Sequence, residues 1–304
     1  MIAWTAEKRV PMAIVTRTKN RAALLHRAME SVAGQYNRTF VWVIVNDGGE
    51  RAPVETVVAE AKRRGVPVVV LHHAESLGME AASNAGLAAV DSEFVAIHDD
   101  DDTWDPHFVP ETLGYLRKNP SKGGVVVKTT KVVERIDGAG RIRTIGRRPF
   151  NPELHSVHLS EMAERNLFPP ISFVYRRSVL DTIGAYDPSL PVLGDWDFNL
   201  RFLSRFDIGV HPHALANYHF RPGNRGATGN TVGAGVDLHV EWDAAIRNRL
   251  LRKDLDAGVV GLGHLVAAGR RSVTLDKTLQ PMLAARLLAK RAYHGFRRIS
   301  GRAA

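Results

Sequence analysis

Phe94-Val95-Ala96-Ile97-His98-Asp99-Asp100-Asp101-Asp102-Thr103-Trp104 is an apolar run that ends in four consecutive carboxylates. The run has the length and composition of a buried strand, and the acids stand where that strand leaves the core. Adjacent carboxylates repel one another by about 1 kcal/mol per close pair even in high dielectric, so a positive partner is expected among them. A hard divalent cation suits the role. Mg²⁺ or Mn²⁺ takes oxygen ligands, needs only one or two protein carboxylates, and completes its shell with water and substrate phosphates. The same residues also suit a solvated acidic turn that caps a helix beginning near Asp105-Pro106.

Upstream of this stretch the chain alternates regularly. Met12 to Val15, Val41 to Val45 and Val66 to Leu71 read as strands, and Arg21 to Ala33, Pro53 to Arg64 and Met79 to Val90 as helices. Strands alternating with amphipathic helices predict right-handed crossovers and a parallel sheet covered on both faces. Ligands bind such sheets beyond the carboxyl ends of the strands. Three polar clusters fall there and are expected to converge: Thr16-Arg17-Thr18, Asn46-Asp47-Gly48-Gly49, and the four aspartates.

Residues 10 to about 225 resemble the family 2 glycosyltransferases of the GT-A fold. The likeness is carried by Asn20-Arg21 with Leu25, Ser31-Val32 and Gln35; by Val45-Asn46-Asp47-Gly48; by Gly78 with Asn84; and by Asp99 to Asp102 followed by Trp104 and Pro106. Leu193-Gly194-Asp195-Trp196-Asp197 with Leu200-Arg201 looks like the family's catalytic-base motif. The resemblance implies a Rossmann-like nucleotide-binding sheet joined to an acceptor-side mixed sheet, and an inverting transfer from a nucleotide-diphosphate sugar. It implies that Asp47 takes the N3 hydrogen of a base, that Thr16 or Thr18 lines the nucleotide pocket, and that Arg17 and Asn84 belong to the donor site. Asp99 and Asp101 then fit the two ends of the D-x-D, with Asp101 foremost for the metal and Asp100 near ribose. Asp195 takes the base role with Asp197 second, and His219 stands where some relatives reach metal or diphosphate. The residues' bland roles are an Asx turn for Asp47, an N-cap for Asp195 and a packing role for His219.

The sequence departs from the pattern at Asn46, Ser76 and Ser83, which stand where an aspartate, an asparagine and an arginine are usual. Without that arginine, the diphosphate needs another partner, for which His72, His73 and Arg17 are candidates.

Beyond Pro120, Gly123 to Glu134 reads as a strand, with a hairpin turn at Asp137 to Gly140. Phe168 to Tyr175 reads as another strand, Arg177 to Thr182 and Gly194 to Leu203 as helices, and Ile208 to Val210 as a short strand. The glycine-rich segment after Pro222 looks like a lid.

The 304 residues are 44% hydrophobic, contain no cysteine and carry a net charge of +9. Such a chain buries a full core, cannot form disulfides or thiolate sites, and fits a reducing compartment. The first nine residues lack a signal-peptide core, and no run of about 18 apolar residues occurs, so the expected location is cytoplasmic. Two units are expected: a catalytic domain over 1–235 and a basic helical extension over 236–304. Helices are read over Val236 to Lys253, Val259 to Ala268 and Leu279 to Ile299. The sequence has no acid after Asp276, so the last helix suits an anionic membrane surface where lipid-linked acceptors lie, placing the protein peripherally on the inner face. A homodimer contact or packing on the domain suits the same residues. The expected cofactors are Mn²⁺ or Mg²⁺ and a UDP-sugar, with dTDP- or GDP-sugars as alternatives. The acceptor is a saccharide or a lipid-linked one from cell-surface polysaccharide or glycolipid synthesis. A nucleotidyltransferase would want a glycine-rich loop after the first strand, and Thr16-Arg17-Thr18-Lys19-Asn20 has none. A carbohydrate-binding relative without catalysis is the remaining alternative. Nucleic acid is not expected as a partner, because the aromatic residues are too scattered for a stacking platform.

Overall fold

The computed structural model describes residues 9–137, 141–222 and 236–270. The apolar runs of the first hundred residues become β1 (Val10–Thr18), β2 (Phe40–Asp47), β3 (Val68–His73) and β4 (Ser92–Ile97). Between them lie α1 (Ala22–Ala33), α2 (Arg51–Arg63) and α3 (Met79–Ala88). These four strands run parallel in the order β3-β2-β1-β4. The expected parallel sheet is therefore present, with each strand extending a few residues beyond its apolar centre.

Alternation through the pleat sends the side chains of each strand to opposite faces. Met12, Ile14, Trp42, Ile44, Phe94 and Ala96 meet Leu25, Met29 and Val32 of α1 and Val54, Val57 and Val58 of α2 in one core. The opposite face is covered by α3, where Gly86 lets the helix approach closely. A Cβ there would lie 2.4 Å from Val15 Cγ1.

The second half adds β5 (Thr103–Trp104), α4 (Phe108–Lys118), β6 (Gly124–Ile136), β7 (Ile142–Pro149), α5 (Leu159–Glu164), β8 (Phe173–Arg176), α6 (Leu180–Ile183), α7 (Gly194–Leu203) and β9 (Ile208–Phe220). The sheet continues from β4 through β8, β6 and β9 to β5, with β7 paired to β6. Here antiparallel and parallel pairings mix.

Two readings change. The strand expected over Phe168 to Tyr175 is a 3₁₀ turn at Pro170–Ser172 followed by the short β8. The short strand expected at Ile208 to Val210 is the first part of the 13-residue β9. Pro212 and the two histidines around it mask the pattern, and the register shifts near Lys128 absorb the irregularity.

Contacts divide the described chain into two units. The larger contains residues up to Met162 and from Asn166 to Ile246; the smaller joins Ala163–Arg165 to the residues from Arg247 onward. Within the smaller unit the buried guanidinium of Arg247 donates to the carbonyls of Ala163, Glu164 and Val266. Helices run over Val236–Asp256 and 262–270, while the basic helix expected over Leu279 to Ile299 lies outside the described residues. Among the described residues no helix is long and apolar enough to cross a membrane.

Candidate active site

Strand order reverses at β1, whose neighbours are β2 on one side and β4 on the other, so a crevice opens at the carboxyl ends of these strands. A cavity of about 590 Å³ lies there, lined by Arg17 and Thr18 after β1, Asp47 after β2, and Asp99, Asp100 and Asp101 after β4. The three polar clusters converge as expected. Asp195, at the start of α7, faces the same cavity.

The positive partners of three of the four carboxylates are arginines. Arg21 reaches Asp100 at 2.9 Å and Asp101 at 2.7 Å. The fully buried Arg221 pairs with Asp101 and, at 3.1 Å, with Glu134. Arg17 holds Asp99 and lies 3.7 Å from Glu80. Burial pushes the pKa of Asp101 up, but Arg21 and Arg221 outweigh it and hold the carboxylate below its ordinary range. Asp102 differs, since burial and the charges of Asp101 and Asp99 raise it well above that range. Its Oδ1 accepts from the His219 amide at 2.7 Å, and its Oδ2 is buried without a partner among the described residues.

Oxygen-only donors on a cavity wall fit a hard cation. Asp99 engages Arg17 through Oδ1, and Asp101 stands beside it on the cavity wall. Among the described residues no three acids or imidazoles form a ready-made cage. A cation held by one or two carboxylates and completed by phosphate oxygens needs none.

Two of the expected donor residues bond to other parts of the chain. Asn84 spans to Tyr186, donating to its carbonyl at 2.8 Å and accepting from its amide at 3.0 Å. Thr16 is fully buried and accepts from Trp42 Nε1, leaving Thr18 as the threonine on the cavity. His219 is held at both ring nitrogens. Its Nδ1 bonds Glu134 at 2.7 Å and its Nε2 meets Thr103 Oγ1 at 2.9 Å, so both ring nitrogens are engaged away from the carboxylates that would bind metal. Asp197 likewise forms an i,i+4 ion pair with Arg201 at 2.8 Å inside the helix.

The Asx turn expected of Asp47 is made by Asn46, whose Oδ1 accepts from the Gly49 amide while its Nδ2 donates to the carbonyls of Gly49 and Glu50. Asp47 instead accepts four hydrogen bonds, from His73, Ser76 and the amides of Leu77 and Gly78. Burial raises its pKa, yet these donors outweigh it and hold the group low. Ser76, unlike the usual asparagine, has a hydroxyl that can rotate away and surrender its place to a ligand N–H.

Arg17 Nη1 donates to Ser83 Oγ at 3.2 Å. His72 and His73 are engaged with Asn46, Glu55 and Asp47.

Asp195 sits in the first turn of α7 and is not its N-cap; Leu193 holds that position with a left-handed φ of +62°. Such backbone costs roughly 1 kcal/mol or more in a non-glycine residue and is found often at functional sites. The carboxylate accepts from the Trp196 amide at 2.8 Å and from Asn166 Nδ2 at 2.7 Å. Burial pushes its pKa up, against the pull of the Trp196 amide.

Glu80, which sequence reasoning missed, lies in the first turn of α3 on the cavity wall. Gly194 makes room for it, since a Cβ there would fall 2.4 Å from Glu80 Cδ. Burial pushes Glu80 up to about 7, with Arg17 opposing and Asp195 adding to the rise. The folded state therefore holds the extra proton. That stabilisation is complete below the ordinary 4.5 and is lost as pH rises through about 7. Denaturation of Glu80→Gln should show a flatter stability profile than the parent over this interval, and matching slopes would place the proton elsewhere.

The family model described as glycosyl transferase family 2 matches residues 13–184, more than half of the chain. The chain belongs to this family. This glycosyltransferase is 27% identical over 210 residues to "Uncharacterized glycosyltransferase YwdF" of Bacillus subtilis, covering 69% of this chain and 74% of that one. It is 26% identical over 196 residues to the "PGL/p-HBAD biosynthesis glycosyltransferase" of Mycobacterium bovis, covering 63% and 69%. Among solved structures, S. aureus TarS 1-349 in complex with UDP-GlcNAc superposes with a TM-score of 0.62 at 17% identity, over 89% of this chain and 73% of that one. Mannosyltransferase PcManGT from Pyrobaculum calidifontis, in complex with GDP-Man and Mn²⁺, gives 0.54 at 15%, over 96% and 82%. These two establish the shared GT-A fold.

Proposed function

We propose that the enzyme moves a sugar from a nucleotide-diphosphate donor to a hydroxyl acceptor with inversion, using Asp195 as general base. The observation that carries this reading is a half-buried carboxylate fixed by two N–H donors on the same cavity wall as the acidic cluster. Asp195 takes the proton of the acceptor hydroxyl as its oxygen attacks the anomeric carbon, and the bond to the diphosphate breaks on the opposite side. Burial raises its pKa, which makes it a stronger base than an exposed aspartate. Asp99 and Asp101 would hold a Mn²⁺ or Mg²⁺ ion, which when bound supplies positive charge to the departing diphosphate. Arg17, on the same wall, adds a fixed guanidinium beside Ser83. Asp47 takes the base N–H once Ser76 turns away.

The donor class is a UDP-sugar, with dTDP- and GDP-sugars as alternatives; the TarS and PcManGT structures hold UDP-GlcNAc and GDP-Man with Mn²⁺. The acceptor is a saccharide or a lipid-linked saccharide of the cell surface. Residues 1–235 carry catalysis. The basic segment 236–304 meets an anionic leaflet at the cytoplasmic face or, alternatively, a second copy of the chain.

Thermal unfolding with a panel of UDP-, dTDP- and GDP-sugars, with and without Mn²⁺, tests the donor assignment. A ligand at a hundred times its Kd adds about 2.7 kcal/mol of stability. One nucleotide class should raise Tm, and chiefly with the cation present. No shift with any nucleotide sugar would overturn the reading.

A further inference from the structure

On the mixed-sheet side, Lys131 lines the cavity and stands opposite the exposed Arg148 on the next strand, and the donor site uses neither. β6 and β7 run antiparallel with Lys131 opposite Arg148, so both leave the sheet on the same face. On the other edge of β6, Tyr218 of β9 stands level with Lys131 and Phe220 with Val133. Phe150 extends the same face through its amide bond to the Thr129 carbonyl, and its ring meets Tyr218 edge-on at 5.5 Å. Lys131, Phe150, Tyr218 and Phe220 all line the cavity.

Like charges directly opposed across two strands destabilise the pairing. Among the described residues neither Lys131 nor Arg148 forms an ion pair, and the contact of the Lys131 ammonium is the Phe220 ring, 3.8 Å from its centroid. The neighbouring Arg141 and Arg143 are instead neutralised by Asp137. Partial burial, then the charge of Arg148, pushes the Lys131 pKa down, as happens to a cation short of counter-charge. An ammonium and a guanidinium side by side offer several N–H donors to one tetrahedral anion, and the three rings offer flat apolar surface beside it.

Resting on the glycosyltransferase reading, we propose that Lys131 and Arg148 form an acceptor-side subsite for a phosphate group, so that the acceptor is a phosphorylated hydroxyl compound. The phosphate can belong to a lipid or to a soluble phosphosugar or phosphopolyol.

The test uses the full chain and two probes, glycerol 3-phosphate and dodecyl phosphate, with glycerol and dodecyl maltoside as neutral counterparts. Calorimetric titrations are run with and without saturating UDP and Mg²⁺, so that binding on the donor side is separated from binding here. The expected result is phosphate binding that survives UDP and falls about tenfold in Lys131→Met and in Arg148→Gln, roughly one charge-assisted contact each. Their Tm should be equal to or above the parent's, because a repulsion is removed. Binding of both phosphates supports recognition of the anion alone, and binding of dodecyl phosphate only supports a lipid source. Unchanged phosphate affinity in both variants, or equal affinity for dodecyl maltoside, overturns the proposal. Failure of UDP itself to bind counts against the donor reading and is scored separately from the phosphate probes.

Discussion

Asp195→Asn is expected to lower turnover by about 10²-fold or more while leaving nucleoside diphosphate affinity unchanged. The substitution keeps size and one acceptor oxygen for the Trp196 amide, but it removes the group that takes the proton. It also turns an acceptor toward Asn166 into a donor. Asn166 can flip its amide only by disturbing its bond from Asn199, at 3.1 Å, so a modest loss of stability should accompany the loss of rate. Release of nucleoside diphosphate measures the rate, and calorimetry the affinity. Near-normal turnover would move the base role to Glu80, a buried carboxylate on the same wall, because Asp197 is committed to Arg201.

Arg221→Met is expected to destabilise the fold by about 3–5 kcal/mol, the usual cost of leaving a buried charge without its partner. Arg221 is fully buried between Asp101 and Glu134. Burial alone would raise Glu134, yet His219, Arg27 and Arg221 hold it at about 2. Denaturant midpoints should fall sharply for Arg221→Met. Adding Glu134→Gln should recover part of the loss, since the two residues are coupled. A cost below about 1 kcal/mol would mean that solvent or another cation takes the arginine's place.

The parallel half of the sheet was legible because its signal is local. Each apolar run is continuous, and each intervening helix repeats its apolar face within a dozen residues, as in Leu24, Leu25, Ala28 and Val32 of α1. β5 was not legible, since two residues carry no period, and β9 was obscured where Pro212 interrupts it. The acidic cluster was legible as a charge that needed a positive partner. The identity of that partner was not, because Arg221 lies 120 residues from Asp101 and nothing in the local pattern links them. The same applies to Asp47, whose donors come from the turn around residues 76–78, and to Arg17 of β1, which donates to Ser83 of α3. Motif position drew attention to Asp195, which lines the cavity, and to Asn84 and His219, whose side chains hold Tyr186 and Glu134.

Calorimetric titration of the intact protein with UDP, in Mn²⁺ and again in excess chelator, bears most directly on the claim that the acidic cluster binds the donor through a cation. Tight binding is predicted with Mn²⁺, with a loss of at least about tenfold on chelation, and with the same loss in Asp101→Ala whether or not Mn²⁺ is present. Equal affinity in Mn²⁺ and in chelator, with Asp101→Ala indistinguishable from the parent, would contradict it and leave Arg17 and its neighbours to hold the diphosphate alone.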